Sequence, residues 1–426
     1  MTAPLPRPAT TKRLKYVVSL RRSRVEGSIN DRPFLGLENI ESSTGRLVGD
    51  PAAKEESAPS ATGEAESLSN TFEPGDVLFG KLRPYLAKAW VAAFPGRCTT
   101  ELLVMQPVEA ESRFLRYVCL SRDFIDAVDA STFGSKMPRA DWDFIGNMAV
   151  PVPRIPQQRA IADYLDRETA RLDALVAAKE RVLGLLAEKR RALITRAVTR
   201  GLDPRAPLRD SGIPWLGEIP AHWEIVALRF LVDISGGATP DTGKPELWDG
   251  DIPWVSPKDM KCDEIADAED HVSPAALLGS ALRLIDPAVV LIVVRGMILA
   301  HSFPTAVTIR QVTINQDMKA LRCRSSVEPY FLRDFFWGTE SDIVSLADSS
   351  AHGTRKLETE VLGHFEVCLP PLKEQRAIVG HITEKTSRLD AIRAATERTI
   401  ALLKERRAAL IAAVVTGKLE VPRDDA

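Results

Sequence analysis

The sequence predicts an α+β fold: two mixed α/β domains separated by two long antiparallel helices that form an intramolecular coiled coil about a pseudo-twofold axis. Three observations predict it: a duplicated segment without gaps, apolar residues at 3- and 4-residue spacing within it, and unlike, strand-containing stretches between the copies.

Residues 150–199 return as 367–416 at a constant offset of 217, with 24 of 50 positions identical. Fainter echoes share the offset: Phe114-Leu115-Arg116 answers Phe331-Leu332-Arg333, and Gly146 answers Gly363. Leu14-Lys15-Tyr16 resembles Leu228-Arg229-Phe230. Duplicated ends with divergent middles describe one scaffold carrying two modules.

Each copy is punctuated as a helix. Pro153 and Pro156, and then Pro370 and Pro371, suit a helix start, while Gly201 with Pro204, and Gly417, suit the ends. Ile161, Leu165, Leu172, Leu175, Val182, Leu186 and Leu193 form one stripe, and Ile378, Ile382, Leu389, Ile392, Leu403 and Leu410 the other. Glu168, Lys179 and Lys189 interrupt that coiled-coil-like seam. Neither helix buries its stripe alone, so the two are expected to pack together, as rods of roughly 60 Å at 1.5 Å per residue. Related repeats pair most simply head-to-tail, hence the antiparallel expectation.

Between the repeats, DVLFGKL (76–82) and AVVLIVV (288–294) read as strands, and 112–129 and 328–347 as helical. Residues 50–67, without aromatics or period, read as a mobile surface loop. The expected domains are 1–152, a helical spacer at 153–204, a second domain at 205–369 and a second spacer at 370–426.

Bulk properties narrow the function. A chain of 426 residues exceeds one core, and 45% hydrophobic with 27% charged residues is ordinary for a soluble protein. No window approaches a membrane span, the N-terminus has no apolar signal core, and five scattered cysteines suit a reducing compartment, so a cytoplasmic location is expected. The net charge of −2 conceals a regional split. Lys+Arg against Asp+Glu number 19 and 19 in 1–153, 11 and 6 in 154–200, 15 and 25 in 201–366, and 11 and 8 in 367–426. The basic excess lies in the helices, and the third region is acidic.

Catalytic signatures are missing. There is no GxGxxG and no GxxxxGK[ST] loop, and the six histidines have no metal spacing. Asp251-Ile252-Pro253-Trp254 approaches the Asp/Asn-Pro-Pro-aromatic loop of adenine methyltransferases, but Ile252 replaces the first proline and no cofactor loop accompanies it. Trp254 is therefore read as a structural or base-contacting aromatic.

Order and spacing of several strings then give a family resemblance. These are the QQRAI and EQRAI starts, KRRALI and RRAALI followed by VTRG and VTGK, PGDVLFGKLRPYLAKAW (74–90), DSGIPWLGEIPAHWE (210–224), GDIPWVSPKDM (250–260) and NQDMKAL (315–321). The chain resembles the specificity subunit of type I restriction-modification systems over nearly its whole length. That resemblance implies two target-recognition domains, each reading half of a split, asymmetric double-stranded DNA target, with the helices as a ruler between them. It implies two modification subunits that bind S-adenosylmethionine and methylate adenine, and restriction subunits that use ATP and Mg. This chain would hold no cofactor, metal or catalytic group.

Phosphate contacts supply affinity and base edges supply specificity, both favouring Arg and Lys. The candidates are Lys81 and Arg83, Lys136 and Arg139 in GSKMPRADW, Lys258, Arg295, and Arg355 and Lys356, of which Lys356 answers Arg139 at the 217 offset. Two other readings are an adenine-specific DNA methyltransferase and a coiled-coil scaffold that does not bind DNA.

Overall fold

Proline and glycine set the limits of both long helices. In the computed structural model the helices span Ile155–Arg200 (46 residues) and Leu372–Val415 (44 residues). Pro153, and Pro370 with Pro371, stand just before the starts, while Gly201 (φ +69°) and Gly417 (φ +74°) turn the chain left-handed at the ends. The structure describes residues 10–25, 32–49, 68–134, 136–278, 281–349 and 354–421. The 50–67 stretch lies outside them.

The chain divides into two compact units, Met1–Glu180 with Glu397–Ala426, and Arg181–Thr396. The division passes through both long helices, so each unit holds the start of one and the end of the other. In the first unit, Ala162 and Leu165 share a core with Ile411, Val414 and Val415. In the second, Ile194 and Val198 share a core with Ile378 and Ile382. Within each unit the start of one helix therefore meets the end of the other, which is the antiparallel arrangement. Ion pairs reinforce it: Arg407–Asp173 at 2.9 Å in the first unit and Arg190–Asp390 at 2.6 Å in the second.

The seam differs from the expected one in which residues it buries. Leu175, Val182 and Ile392 are exposed, at 44%, 37% and 49%. An apolar stripe on a packed helix is broader than one line of contact with a single neighbour. The buried line runs beside these residues: Val176 and Leu183 are half-buried, and Thr396 and Ile400 are buried at 7% and 9%.

In the first unit an antiparallel sheet runs in the order Val18–Leu20, Leu102–Pro107, Val77–Gly80, Ala89–Val91. In the second the order is Val232–Gly236, Met318–Cys323, Val290–Val293, Thr305–Thr308, with Glu264–Ile265 added in parallel. The central strands are buried on both faces. Val77 and Phe79 face the helices while Leu78 faces a second cluster with Trp90 and Val104. Val290 and Ile292 are likewise separated from Leu291 and Val293. Burial on both sides is why these segments read as unbroken apolar runs rather than alternating ones.

Both expected domain helices are broken in two. Ser112–Leu120 and Arg122–Ala130 meet at Ser121, which is extended (φ −68°, ψ 142°). Pro329–Gly338 and Glu340–Ser345 meet at Thr339. At Gly338 a Cβ would lie 2.7 Å from Val198 Cγ2, and Thr195 Oγ1 donates to the Gly338 carbonyl at 2.8 Å. That close approach to the first long helix needs a residue without a side chain.

One buried glutamine per unit ties domain to helix. Gln158 Oε1 accepts from Glu111 N–H at 2.7 Å, and its Nε2 donates to the carbonyls of Pro153 (2.8 Å) and Glu109 (3.3 Å). Gln375 repeats this at the same offset: Oε1 accepts from Glu328 N–H at 2.8 Å, and Nε2 donates to Pro370 (2.8 Å) and Ser326 (2.9 Å). Both side chains are fully buried with both ends of the amide satisfied. The duplication is therefore atomic, and the QRAI string keeps its glutamine for this joint.

Candidate nucleic-acid interface

In the first unit the chain leaves the central strand at Gly80 and enters an edge built from backbone pairing. Lys81 N–H donates to Glu101 O at 3.0 Å, and Ala140 N–H donates to Lys81 O at 2.9 Å. Leu82 bridges to Arg139, which also bridges to Phe133, and Arg83 N–H donates to Pro138 O at 2.8 Å. Lys81, Arg83 and Arg139 are thus brought to one ladder, and Lys136 lies in the turn between Phe133 and Arg139. Arg83 is left-handed (φ +50°) and heads a short 3-10 helix, Pro84–Leu86. Arg139 is paired with Glu101 at 3.1 Å, whereas Lys81, Arg83 and Lys136 form no ion pair among the described residues. Tyr85, Phe133 and Met137 stand exposed beside them.

Three arginines not selected from the sequence join this edge. Arg21, Arg22 and Arg24 line a recess of about 70 Å³ together with Asn70, Lys81 and Thr100. Arg21 is held by Asp76 at 2.8 Å, which raises its guanidinium pKa, and Arg22 and Arg24 form no ion pair among the described residues. The signal was the run Arg21-Arg22-Ser23-Arg24, overlooked because it stands outside every repeated string.

The second unit builds the same edge from other residues. Val294 N–H donates to Asp317 O at 2.9 Å, and Leu357 N–H donates to Val294 O at 2.8 Å. Arg295 pairs with Lys356 and Gly296 with Arg355, and Asp348 flanks Lys356 on the other side. Gly296 (φ +139°) takes the place of Arg83, and a 3-10 helix, Met297–Ala300, follows it. The structure thus groups Arg295, Arg355 and Lys356. Lys356 pairs with Glu358, while Arg295 and Arg355 form no ion pair among the described residues. Met297 and Ile298 are exposed beside them.

Lys258 stands apart from that ladder. It sits between Glu269 (3.1 Å) and Asp270 (2.9 Å), whose hydrogen bonds raise its ammonium pKa and neutralise it locally. Trp254 proves structural: its indole N–H donates to Ala238 O at 2.9 Å and its ring meets Trp248 edge-on at 5.0 Å. The acid excess of this region is partly consumed in such pairs, including Asp286–Arg322 at 2.8 Å and Asp233–Arg324 at 3.3 Å.

Among the described residues no group of three or more His, Cys, Asp or Glu is placed to hold a metal, and no helix is long and apolar enough to cross a membrane. Burial pushes the Cys98 and Cys368 thiols up to about 12, which leaves them inert as nucleophiles.

Comparisons with known proteins agree with this geometry. Residues 220–401 match the family model of the type I restriction modification DNA specificity domain. The specificity subunit of the Escherichia coli type I restriction enzyme EcoR124I/EcoR124II is 31% identical over 172 residues, 40% of this chain and 43% of that protein. The Methanocaldococcus jannaschii MjaIX specificity subunit is 28% identical over 167 residues, 38% of each. The match spans about two fifths of the length of these curated relatives. Fold similarity extends further. A chain from a structural study of complex assembly and conformational transition in the type I R-M system superposes with a TM-score of 0.74 at 21% identity, covering 98% of this chain and 100% of the other. The HsdS subunit from Thermoanaerobacter tengcongensis gives 0.53 at 20% identity, covering 98% and 99%. By its matched domain this chain is similar to the specificity subunits of type I restriction-modification systems, and its fold is that of the two superposed structures.

Proposed function

We propose that the chain is the DNA sequence-specificity subunit of a type I restriction-modification complex, working without a catalytic group of its own. Each unit reads one half of a bipartite, asymmetric DNA target through its cationic ladder. The observation that carries this reading is the pair of matching ladders: identical backbone bonds at Lys81 O and Val294 O present different side chains at corresponding positions. Lys81 and Arg83 in one, and Arg295 and Arg355 in the other, supply cations not consumed internally. Adenine methylation with S-adenosylmethionine, and restriction with ATP and Mg, belong to partner subunits, two modification and further restriction subunits. Exposed apolar residues on the long helices, Leu175 and Ile392 among them, offer those partners a surface.

The test is methylation mapping by single-molecule sequencing of cells that express this chain with modification subunits. The expected result is one split motif, methylated only when the chain is present. A motif without a gap, or methylation independent of the chain, would overturn the proposal. Methyl transfer from tritiated S-adenosylmethionine by the isolated chain would favour the methyltransferase reading instead. The same mapping tests the ruler. Four residues inserted after Ala178 add about one helical turn, roughly 5.4 Å. The preferred spacer should then lengthen by about one or two base pairs, given roughly 34–36 Å per DNA turn, with both half-sites kept.

A further inference from the structure

Each unit carries one further surface that its reading ladder does not use, and the two surfaces correspond. In the first unit a 3-10 turn, Leu14–Tyr16, is anchored by Leu14 N–H donating to Met148 O at 2.9 Å. In the second, Leu228–Phe230 is anchored by Leu228 N–H donating to Phe365 O, also at 2.9 Å. The leucine is buried both times, and the aromatic ring that ends the turn points outward: Tyr16 is 62% and Phe230 57% exposed. A cation lies over each ring, Lys15 Nζ at 5.4 Å from the Tyr16 centroid and Arg229 Cζ at 4.9 Å from that of Phe230.

A short helix completes each patch, Trp142–Asn147 in one and Thr359–His364 in the other. Gly146 and Gly363 both face the cation's stem. A Cβ at Gly146 would fall 3.5 Å from Lys15 Cβ, and one at Gly363 would fall 3.6 Å from Arg229 Cβ. Phe144 and Val361, at equivalent positions, are exposed. Arg229 also contacts the His364 ring, and neither cation meets a carboxylate among the described residues.

Folding does not require an exposed aromatic ring in either place, because the buried leucine and the backbone bond already fix the turn. Target reading does not require it either. Residues that read different half-sites diverge, as Arg83 and Gly296 do, whereas this patch keeps its order of apolar anchor, cation and ring. A feature held constant on two otherwise divergent units fits one partner taken twice. Its composition is that of an interface anchor, an aromatic ring for a pocket and a cation for an acid at the rim.

We propose that the two patches are docking sites for two copies of one protein partner, each presenting an apolar cleft edged by a carboxylate. This rests on the reading of the chain as a scaffold for two identical modification subunits, and it assigns to them a contact on the domains, beyond the long helices.

The experiment uses the full chain purified with its modification subunit and weighed by native mass spectrometry. Tyr16→Ser combined with Lys15→Glu should weaken one site roughly tenfold or more, so that one modification subunit is retained at a concentration where the unaltered chain holds two. Phe230→Ser with Arg229→Glu should do the same at the other site, and all four changes together should strip both. Tyr16→Phe and Phe230→Tyr should leave two bound, and circular dichroism of each variant guards against unfolding. Two subunits retained by the fourfold variant would overturn the proposal. So would a variant that keeps both subunits but loses affinity in a DNA mobility shift, which would make the patch a nucleic-acid contact. An unaltered chain that holds two subunits but directs no split motif would sink the functional reading and leave the docking result standing.

Discussion

The cationic edge of the first unit and that of the second share a backbone and almost nothing else. Around Lys81 the first edge gathers Arg21, Arg22 and Arg24. The matching strand of the second carries Ile234, Ser235 and Gly236, opposite Leu321, Ala320 and Lys319, and no arginine. Arg83 forces a left-handed residue where the second unit uses Gly296. The frame bonds, by contrast, are repeated with corresponding partners, within 0.1 Å at Lys81 and Val294 and within 0.4 Å at Gln158 and Gln375. Positions that hold the unit together are fixed by the cost of burying polar groups. Positions that face outward are released to vary.

The largest effect should come from the frame. Gln158→Ala strands Glu111 N–H and two carbonyls in a buried site, and should destabilise by about 3 kcal/mol. Gln375→Ala should match it within about 1 kcal/mol, both read by urea denaturation. A twofold or greater disparity would break the equivalence of the two joints.

The next effect separates the units by pH. Tyr117 in the first corresponds to Asp334 in the second, where burial, opposed by Arg333, pushes the carboxyl up to about 6 from 3.8. The folded state then holds that proton more tightly than the unfolded one. Its contribution is present below pH 4 and is lost as pH rises to about 6, on the order of 2 kcal/mol. Asp334→Asn should flatten the stability profile across that window. Tyr117, pushed up to about 12, stays neutral there. An identical profile for Asp334→Asn and the unaltered chain would refute the assignment.

Arg83 sharpens the comparison of the edges. Arg83→Ala should weaken target binding by about 1–3 kcal/mol and relax choice in one half-site only, if its side chain reads a base. Arg83→Gly should lose the same affinity while gaining up to about 1 kcal/mol of stability, because glycine removes the left-handed penalty. Equal melting temperatures for the two variants would show that the backbone term is absent. A phosphate contact would instead weaken all sequences alike and lower the salt slope. The smallest effect is expected at Lys258, already held by Glu269 and Asp270. Lys258→Ala should alter DNA affinity by less than about 0.5 kcal/mol, and a larger loss in a mobility shift would return it to the interface.

The sequence by itself determined what is local or repeated. Helix limits were legible because proline and glycine act within a turn of where they stand. The duplication was legible because its offset never changes. Lys81 and Arg83 were legible as candidates because they follow a recognisable strand, and Arg139 because Lys356 answers it at the 217 offset. Their common edge was not, since it is made by pairing Leu82 with Arg139, far apart in the chain. Nor was the match of Arg83 to Gly296 visible, because the offset there is 213 rather than 217 and so few side chains agree. Which residues of the stripe form the buried line also required the tertiary structure. A stripe records how much apolar surface a helix offers, whereas its cover depends on which neighbours come within reach at each turn, and only the folded chain decides that.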